Sequence, residues 1–91
     1  MHNAMVNADA KIGKHTIINT GANVEHDVVV GNFCHISINA VIGGSTKIGN
    51  SCFIGGGAFI YNNISIVNNT IISAGAVVRK DVTENGIYIG D

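Results

Sequence analysis

The sequence predicts an all-β fold, a single-stranded parallel β-helix of about five triangular coils. Every sixth residue from Val6 to Val78 is aliphatic, and the residue four places after each of these is mostly small. A six-residue period with two inward positions is typical of hexapeptide β-helices, and neither a helical period nor a plain strand alternation produces it. The absence of proline and the 12 glycines suit a chain that turns often and pairs its backbone continuously. The aliphatic positions are Val6, Ile12, Ile18, Val24, Val30, Ile36, Ile42, Ile48, Ile54, Ile60, Ile66, Ile72 and Val78.

The six-residue register sets the predicted boundaries. It runs without a slip over residues 6–82, which we expect to form the β-helix domain. Residues 1–5 carry no repeat and are expected to be a lead-in. Residues 83–91 break the pattern and are expected to cap the last coil, with Asn85-Gly86 as a turn signal.

Residues eighteen apart should stack, because three hexapeptides make one triangular coil. One column at the third place after the aliphatic position contains only Gly and Asn, the types that adopt a positive φ at least cost, so it should be a corner. This column is Gly21, Asn39, Gly57 and Gly75. A second column predicts an asparagine ladder at another corner; it is Asn32, Asn50 and Asn68.

Composition restricts the partners and the compartment. The net charge of -1 and the 12% of charged residues give no electrostatic reason to expect nucleic acid or an anionic membrane. No apolar run is long enough for a membrane span, and no signal-peptide pattern opens the chain, so we expect a cytoplasmic protein. Cys34 and Cys52 are one coil apart at inward positions, and we expect reduced core thiols rather than a disulfide or a zinc site.

Two outward columns are apolar, and apolar stripes on a triangular prism favour partner chains over solvent. A homotrimer with three equivalent grooves is the simplest closed arrangement. The columns are Ile17, His35, Phe53 and Ile71, and Asn23, Val41, Phe59 and Val77.

His26 is the candidate for chemistry. It is flanked by Glu25 and Asp27 at a predicted corner, and a carboxylate beside an imidazole can fix one tautomer, as a general base requires. Gly44 is eighteen residues later and should lie directly above His26, where its bare N–H could donate to a thioester carbonyl. His35 is half a coil away, so it could share a site with His26 only if it comes from a neighbouring protomer.

The hexapeptide array resembles the left-handed β-helix acyltransferases. Residues 19–27 (NTGANVEHD) and 31–37 (GNFCHIS) look more narrowly like the sialic-acid O-acetyltransferases and the bacterial nucleotide-amino-sugar N-acetyltransferases. This resemblance implies that His26 is the general base, that Asp27 tunes it, that His35 contacts the acceptor or the acetyl group, and that Gly44 supplies an amide to the thioester.

The same resemblance implies a place for coenzyme A, along the groove between protomers. The backbones of Gly56, Gly57, Ala74 and Gly75 are then expected to contact the pantetheine arm. A phosphate contact is expected from Arg79 or Lys80. Such relatives generally carry an α/β domain before the β-helix and a tail after it, and this sequence has neither. The acceptor half of the site is therefore expected to be missing, supplied elsewhere or adapted.

The sequence therefore predicts an acetyl-CoA-dependent acetyltransferase that acts on an amino or hydroxyl group of a sugar or nucleotide sugar, by direct transfer and without a metal. The alternative is a non-catalytic trimeric scaffold or a truncated domain. A metallo-hydratase would need three converging imidazoles, whereas His15, His26 and His35 fall in three different columns. An ice-binding surface would need an outward threonine ladder, whereas Thr16, Thr46 and Thr70 are assigned inward.

Overall fold

The structure is a computed structural model that describes residues 4–90. Its strands are two or three residues long and recur every six residues, as the sequence predicted. They are β1 (Met5–Val6), β2 (Lys11–Ile12), β3 (Ile17–Ile18), β4 (Asn23–Val24), β5 (Val29–Val30), β6 (His35–Ile36), β7 (Val41–Ile42), β8 (Lys47–Ile48), β9 (Phe53–Ile54), β10 (Phe59–Ile60), β11 (Ser65–Ile66), β12 (Thr70–Ile72), β13 (Val77–Val78) and β14 (Gly86–Tyr88).

Three parallel sheets form the sides of the coil. Sheet 1 has the order β1-β4-β7-β10-β13, sheet 2 the order β11-β8-β5-β2, and sheet 3 the order β14-β12-β9-β6-β3. The register is eighteen residues, with Val24 opposite Ile42 and Ile36 opposite Ile54. The β-helix of about five coils is therefore confirmed, and its left hand stays a prediction from the resemblance.

The core consists of the two predicted inward positions of each hexapeptide. Ile36, Ile42, Ile54 and Ile60 are fully buried, and Ala22, Ala40 and Ala58 fill the small positions. Each coil covers the apolar face of the next. A middle coil is therefore covered on both sides, whereas a terminal coil is covered on one side only. Val6 in the first coil is accordingly 45% exposed, whereas Val24 above it is fully buried.

Each hexapeptide from Val6 to Ile72 turns through a left-handed residue at the third place after its aliphatic position; Asp81, the third residue after Val78, does not have this conformation. The predicted Gly and Asn column has this conformation, from φ 60° at Asn39 to φ 73° at Gly21. This conformation was predicted for that column alone, but the other two corners also have it, at Asp27, Ser45 and even Phe33, where φ is 58°. Hence the turn is imposed by the coil geometry, and Gly or Asn only lowers its cost.

The three corners can be named by their content. Residues 25–28, 43–46 and 61–64 join sheets 1 and 2 and form the histidine corner. The asparagine corner, between sheets 2 and 3, contains residues 13–16, 31–34, 49–52 and 67–69. The glycine corner, between sheets 3 and 1, contains residues 19–22, 37–40, 55–58 and 73–76.

The predicted asparagine ladder is confirmed at the asparagine corner. The Oδ1 atoms of Asn32, Asn50 and Asn68 accept from the backbone N–H of Lys14, Asn32 and Asn50, at 2.7, 2.8 and 2.7 Å. Each side chain therefore bonds the coil below its own and satisfies a turn N–H that has no strand partner.

Cys34 and Cys52 are buried free thiols. The Cys34 sulfur donates to the carbonyl of Gly49 at 3.0 Å. The hydrogen bond with Cys34, and then burial, raise the pKa of the Cys52 thiol well above its usual range. The Cys52 side chain therefore stays protonated and acts as a small core residue, as the sequence indicated.

The two ends differ from the predicted boundaries. Met5, which was assigned to the lead-in, already belongs to β1 and pairs with Asn23. The cap contains a strand, because β14 continues sheet 3 and places Ile87 opposite Ile71. This step is sixteen residues rather than eighteen, so the last coil is shorter than the others.

The outer faces of the three sheets are unequal. Sheet 2 presents Lys11, Val29, Lys47 and Ser65, whereas sheets 1 and 3 present the two predicted apolar columns. On these columns Ile17, Phe53, Phe59 and Ile71 are 54%, 41%, 42% and 44% exposed. Two apolar sheets thus meet at the glycine corner, and the more polar sheet lies opposite it. No helix in residues 4–90 is long and apolar enough to cross a membrane.

Candidate active site

His26 lies at the histidine corner, with its side chain 66% exposed. Its Nδ1 is 3.2 Å from Oδ2 of Asp27, which follows it in the left-handed turn position. A neutral imidazole that donates from Nδ1 to a carboxylate has its lone pair on Nε2, the atom that can take a proton. The pair therefore has the geometry that a general base requires, and that role of His26 stays a prediction.

Glu25, the other acidic neighbour, does not contact the imidazole. Its two carboxylate oxygens accept from Asn7 Nδ2 at 3.1 Å and from Asn23 Nδ2 at 2.7 Å. Because strand residues alternate between the two sides of a sheet, Glu25 and His26 diverge at the end of β4. Of the two flanking carboxylates only Asp27 can orient His26.

Gly44 lies directly above His26, as the eighteen-residue stacking predicted. A Cβ at Gly44 would be 3.1 Å from Cε1 and 3.2 Å from Nε2 of the imidazole. These distances are shorter than ordinary carbon contacts, so the ring occupies space that any other residue type would fill. With any other residue type at position 44, the ring would have to move by a few tenths of an ångström.

The expected role of the Gly44 amide needs a correction. Its N–H already donates to Oδ1 of Asn62 at 3.0 Å, and Asn62 is eighteen residues further up the same column. The bond is the histidine-corner counterpart of the asparagine ladder. An N–H that is engaged in this way does not face a thioester carbonyl directly, so the donor predicted at Gly44 is not free.

His35 lies on the outer face of sheet 3, with its ring centroid 5.3 Å from that of Phe53. The histidine corner is formed by sheets 1 and 2, so His26 and His35 do not meet within one chain. This is what the half-coil separation predicted, and a shared site would need a second protomer.

A cleft of about 350 Å³ opens beside the upper part of the histidine corner and is lined by Phe59, Tyr61 and Asn62. The rings of Phe59 and Tyr61 meet edge to face, with centroids 5.4 Å apart. Arg79 Nε donates to the Tyr61 hydroxyl at 3.4 Å. Lys80 follows Arg79 in the column above Asn62, and both side chains are exposed. The cleft is therefore aromatic on its walls and cationic above.

The four residues expected along the pantetheine arm are not part of this corner. Gly56, Gly57, Ala74 and Gly75 belong to the glycine corner, on the far side of sheet 1 from His26. The N–H groups of Gly57 and Gly75 donate to the carbonyls of Ile38 and Gly56, both at 2.9 Å. Within one chain these residues are therefore not brought together with His26, because the two corners are separated by the width of a sheet, and their contact with the pantetheine arm stays a prediction for the groove between protomers.

Among residues 4–90 there is no cluster of three or more His, Cys, Asp or Glu side chains that could hold a metal ion. His15 lies at the asparagine corner, stacked on Phe33 with centroids 5.3 Å apart. His26 lies at the histidine corner instead, and His35 lies on the outer face of sheet 3. The three imidazoles therefore do not converge on a zinc site within a single chain.

Sequence reasoning missed Asn62 and Tyr61. The eighteen-residue stacking could have predicted both, since Asn62 is eighteen residues after Gly44 and Tyr61 is eighteen residues before Arg79. Following the histidine column two coils upward would have found them.

Comparisons with known proteins agree with this architecture. The model of the bacterial transferase hexapeptide family (six repeats) matches residues 27–62 and 45–80. No curated protein matches the sequence. Among solved structures, the H141N mutant of perosamine N-acetyltransferase from Caulobacter crescentus, in complex with CoA and GDP-perosamine, is similar at TM-score 0.77 and 21% identity, over 98% of this chain and 51% of that one.

Two further structures are similar. Soybean serine acetyltransferase gives a TM-score of 0.85 and 33% identity, over 94% of this chain and 40% of that one. A UDP-N-acetylglucosamine acyltransferase gives 0.81 and 23%, over 86% of this chain and 33% of that one. The chain thus spans about half the length of the perosamine enzyme and less of the other two.

Proposed function

Because the chain belongs to the bacterial transferase hexapeptide family, we propose that it is an acetyl-CoA-dependent acetyltransferase whose acceptor is an amino or hydroxyl group of a sugar or nucleotide sugar. The observation that carries the proposal is the exposed His26–Asp27 pair, whose ring lies against Gly44 at the edge of an apolar sheet. The solved perosamine N-acetyltransferase complex, with CoA and a nucleotide sugar, supports the substrate class.

In the proposed reaction, His26 Nε2 accepts the proton of the acceptor N–H or O–H as the nucleophile attacks the thioester carbonyl carbon. The carbon–sulfur bond then breaks, and the proton on His26 neutralises the departing thiolate. Asp27 stabilises the imidazolium between these two steps, because its carboxylate is within 3.2 Å of Nδ1. General-base help of this kind is worth about 10²–10⁴ in rate.

Direct transfer follows from the surroundings of the nucleophilic side chains. Both cysteines are buried in the core, and the sulfur of Cys34 donates to a backbone carbonyl. The hydrogen-bond partner of His26 is Asp27 rather than a serine or cysteine. No acyl-enzyme intermediate is therefore invoked.

We infer further that the working unit is a homotrimer. The exposed apolar columns of sheets 1 and 3 flank one corner, so a threefold arrangement would bury sheet 1 of each protomer against sheet 3 of the next. The neighbour's His35 would then face the histidine corner, and coenzyme A would lie in the groove between them. Arg79 and Lys80, above the cleft, are suited to its phosphates.

Serine is a second candidate acceptor, and the observation that favours it is the 33% identity to soybean serine acetyltransferase. The proposed chemistry is the same for serine and for a sugar, because His26 would deprotonate the hydroxyl in both cases. Only the residues that bind the rest of the acceptor would differ.

The test is acetyl transfer by the purified chain. The protein is incubated with acetyl-CoA and, separately, an amino sugar, a nucleotide amino sugar, sialic acid and serine, and each product is identified by its added acetyl mass. Transfer to a sugar acceptor supports the proposal, and transfer to serine alone replaces the acceptor class. A chain that binds neither coenzyme A nor any acceptor by calorimetry, and transfers nothing, supports the alternative, a non-catalytic trimeric scaffold or a truncated domain.

A further inference from the structure

We propose that the side-chain amide of Asn62 donates the hydrogen bond that holds the carbonyl oxygen of the thioester while the acetyl group is transferred. The inference rests on the proposed function and assigns a catalytic residue to it. The N–H of Gly44, directly above His26, donates to Asn62 Oδ1 at 3.0 Å, and the side-chain amide of Asn62 is therefore the hydrogen-bond donor that lies next to this occupied N–H.

The orientation of the Asn62 amide is fixed by that same bond. Only the oxygen can accept from the Gly44 N–H, so the Asn62 nitrogen is turned the other way. Within residues 4–90 the Asn62 Nδ2 group has no protein acceptor. Both of its hydrogens are therefore available to a bound molecule. Accepting a hydrogen bond at Oδ1 also polarises the amide and makes Nδ2 a stronger donor.

His26 and Asn62 converge on one residue. The imidazole contacts the Cβ position of Gly44 from the coil below, and the Asn62 amide bonds the Gly44 nitrogen from the coil above. In the transition state the base nitrogen and the oxyanion donor nitrogen should be about 6–8 Å apart. The nucleophile, the carbonyl carbon and the carbonyl oxygen lie between them. Two groups on opposite sides of one glycine are suited to that span.

The space beside Asn62 is suited to an acyl thioester. The cleft of about 350 Å³ is lined by Asn62 and by the rings of Phe59 and Tyr61. Asn62 is the member of that lining whose amide can donate two hydrogen bonds, and the aromatic rings suit the acetyl methyl group and the thioether-like sulfur. The carbonyl oxygen would thus meet its donor at Asn62, which bonds the same Gly44 that the His26 ring contacts.

The test uses Asn62→Asp, which keeps an oxygen acceptor for the Gly44 N–H but removes the donor. We expect kcat to fall about 10²–10³-fold, with the KM for acetyl-CoA within about threefold of the wild type. Asn50→Asp is the matched control, since Asn50 Oδ1 accepts from a backbone N–H in the same way at the asparagine corner. We expect this control to retain wild-type kcat.

A measurement without turnover separates the failure of this inference from that of the proposed function. In His26→Asn protein saturated with acetyl-CoA, the infrared carbonyl stretch of the thioester should shift to lower frequency than in water, and the shift should be lost when Asn62→Asp is added. A wild-type protein that transfers no acetyl group contradicts the proposed function. An unchanged kcat in Asn62→Asp, or a carbonyl shift that survives it, overturns the role of Asn62.

Discussion

The imidazole of His26 packs against Gly44 of the next coil, so closely that a methyl group there would lie 3.1 Å from Cε1. A methyl group there would displace the exposed ring by a few tenths of an ångström, and Nε2 would leave the place that it now occupies. We therefore expect Gly44→Ala to lower kcat by about 10–10²-fold, the size of effect that misplacing a reacting group has.

The fold should tolerate the same change. The contact is with an exposed side chain rather than with backbone, so the free energy of unfolding of Gly44→Ala should lie within about 1 kcal/mol of the wild type. Urea unfolding followed by circular dichroism measures this. If Gly44→Ala retains full activity, the ring position described above is not the catalytic one.

Most of the fold could be predicted from the six-residue periodicity of the sequence. The aliphatic position and the small position of each hexapeptide are the core residues, because a coil of this period has only those two inward sites. The asparagine column and the apolar outer columns also followed from counting in eighteens. These features repeat, and a repeated constraint is visible in a single sequence.

Features that occur once were harder to predict. Nothing in the repeat shows that the Gly44 N–H is taken by Asn62, since that depends on a rotamer at one position. The pantetheine residues were chosen by resemblance and without asking which corner they occupy, and counting from His26 to Gly56 gives thirty residues, which is not a multiple of eighteen. The turn at Phe33, where φ is 58°, was also not predicted, because phenylalanine is not a residue type that indicates a left-handed turn.

The proposed trimer makes a prediction for Ile71, which is 44% exposed on the outer face of sheet 3. A carboxylate buried between protomers would be unpaired, so Ile71→Glu should dissociate the assembly. Lys47→Glu, on the outer face of sheet 2, is the control and should leave it intact. Sedimentation should give three times the 9.4 kDa chain mass for the wild type and the control, and one chain mass for Ile71→Glu. A wild-type protein that sediments as a monomer would remove the intersubunit groove.

The corner geometry makes a prediction for Asn39, where φ is 60° at the glycine corner. Asparagine tolerates this conformation better than other residues with a Cβ, so Asn39→Ala should lower the free energy of unfolding by about 0.5–1.5 kcal/mol. Asn39→Gly should stay within about 0.5 kcal/mol of the wild type, because glycine adopts positive φ without strain. Urea unfolding at one protein concentration compares the three proteins, and equal stabilities of the Ala and Gly variants would contradict the argument.

We propose above that His26 removes the acceptor's proton, and a matched pair of histidine variants measures this role. His26→Asn and His15→Asn each replace an exposed histidine at a corner, and His15 has a left-handed φ of 56° that asparagine accepts. The measurement is kcat/KM for acetyl transfer to the acceptor found with the wild type. The account predicts a loss of about 10²–10⁴-fold for His26→Asn and less than about twofold for His15→Asn. A folded His26→Asn protein that transfers acetyl groups at the wild-type rate would contradict it.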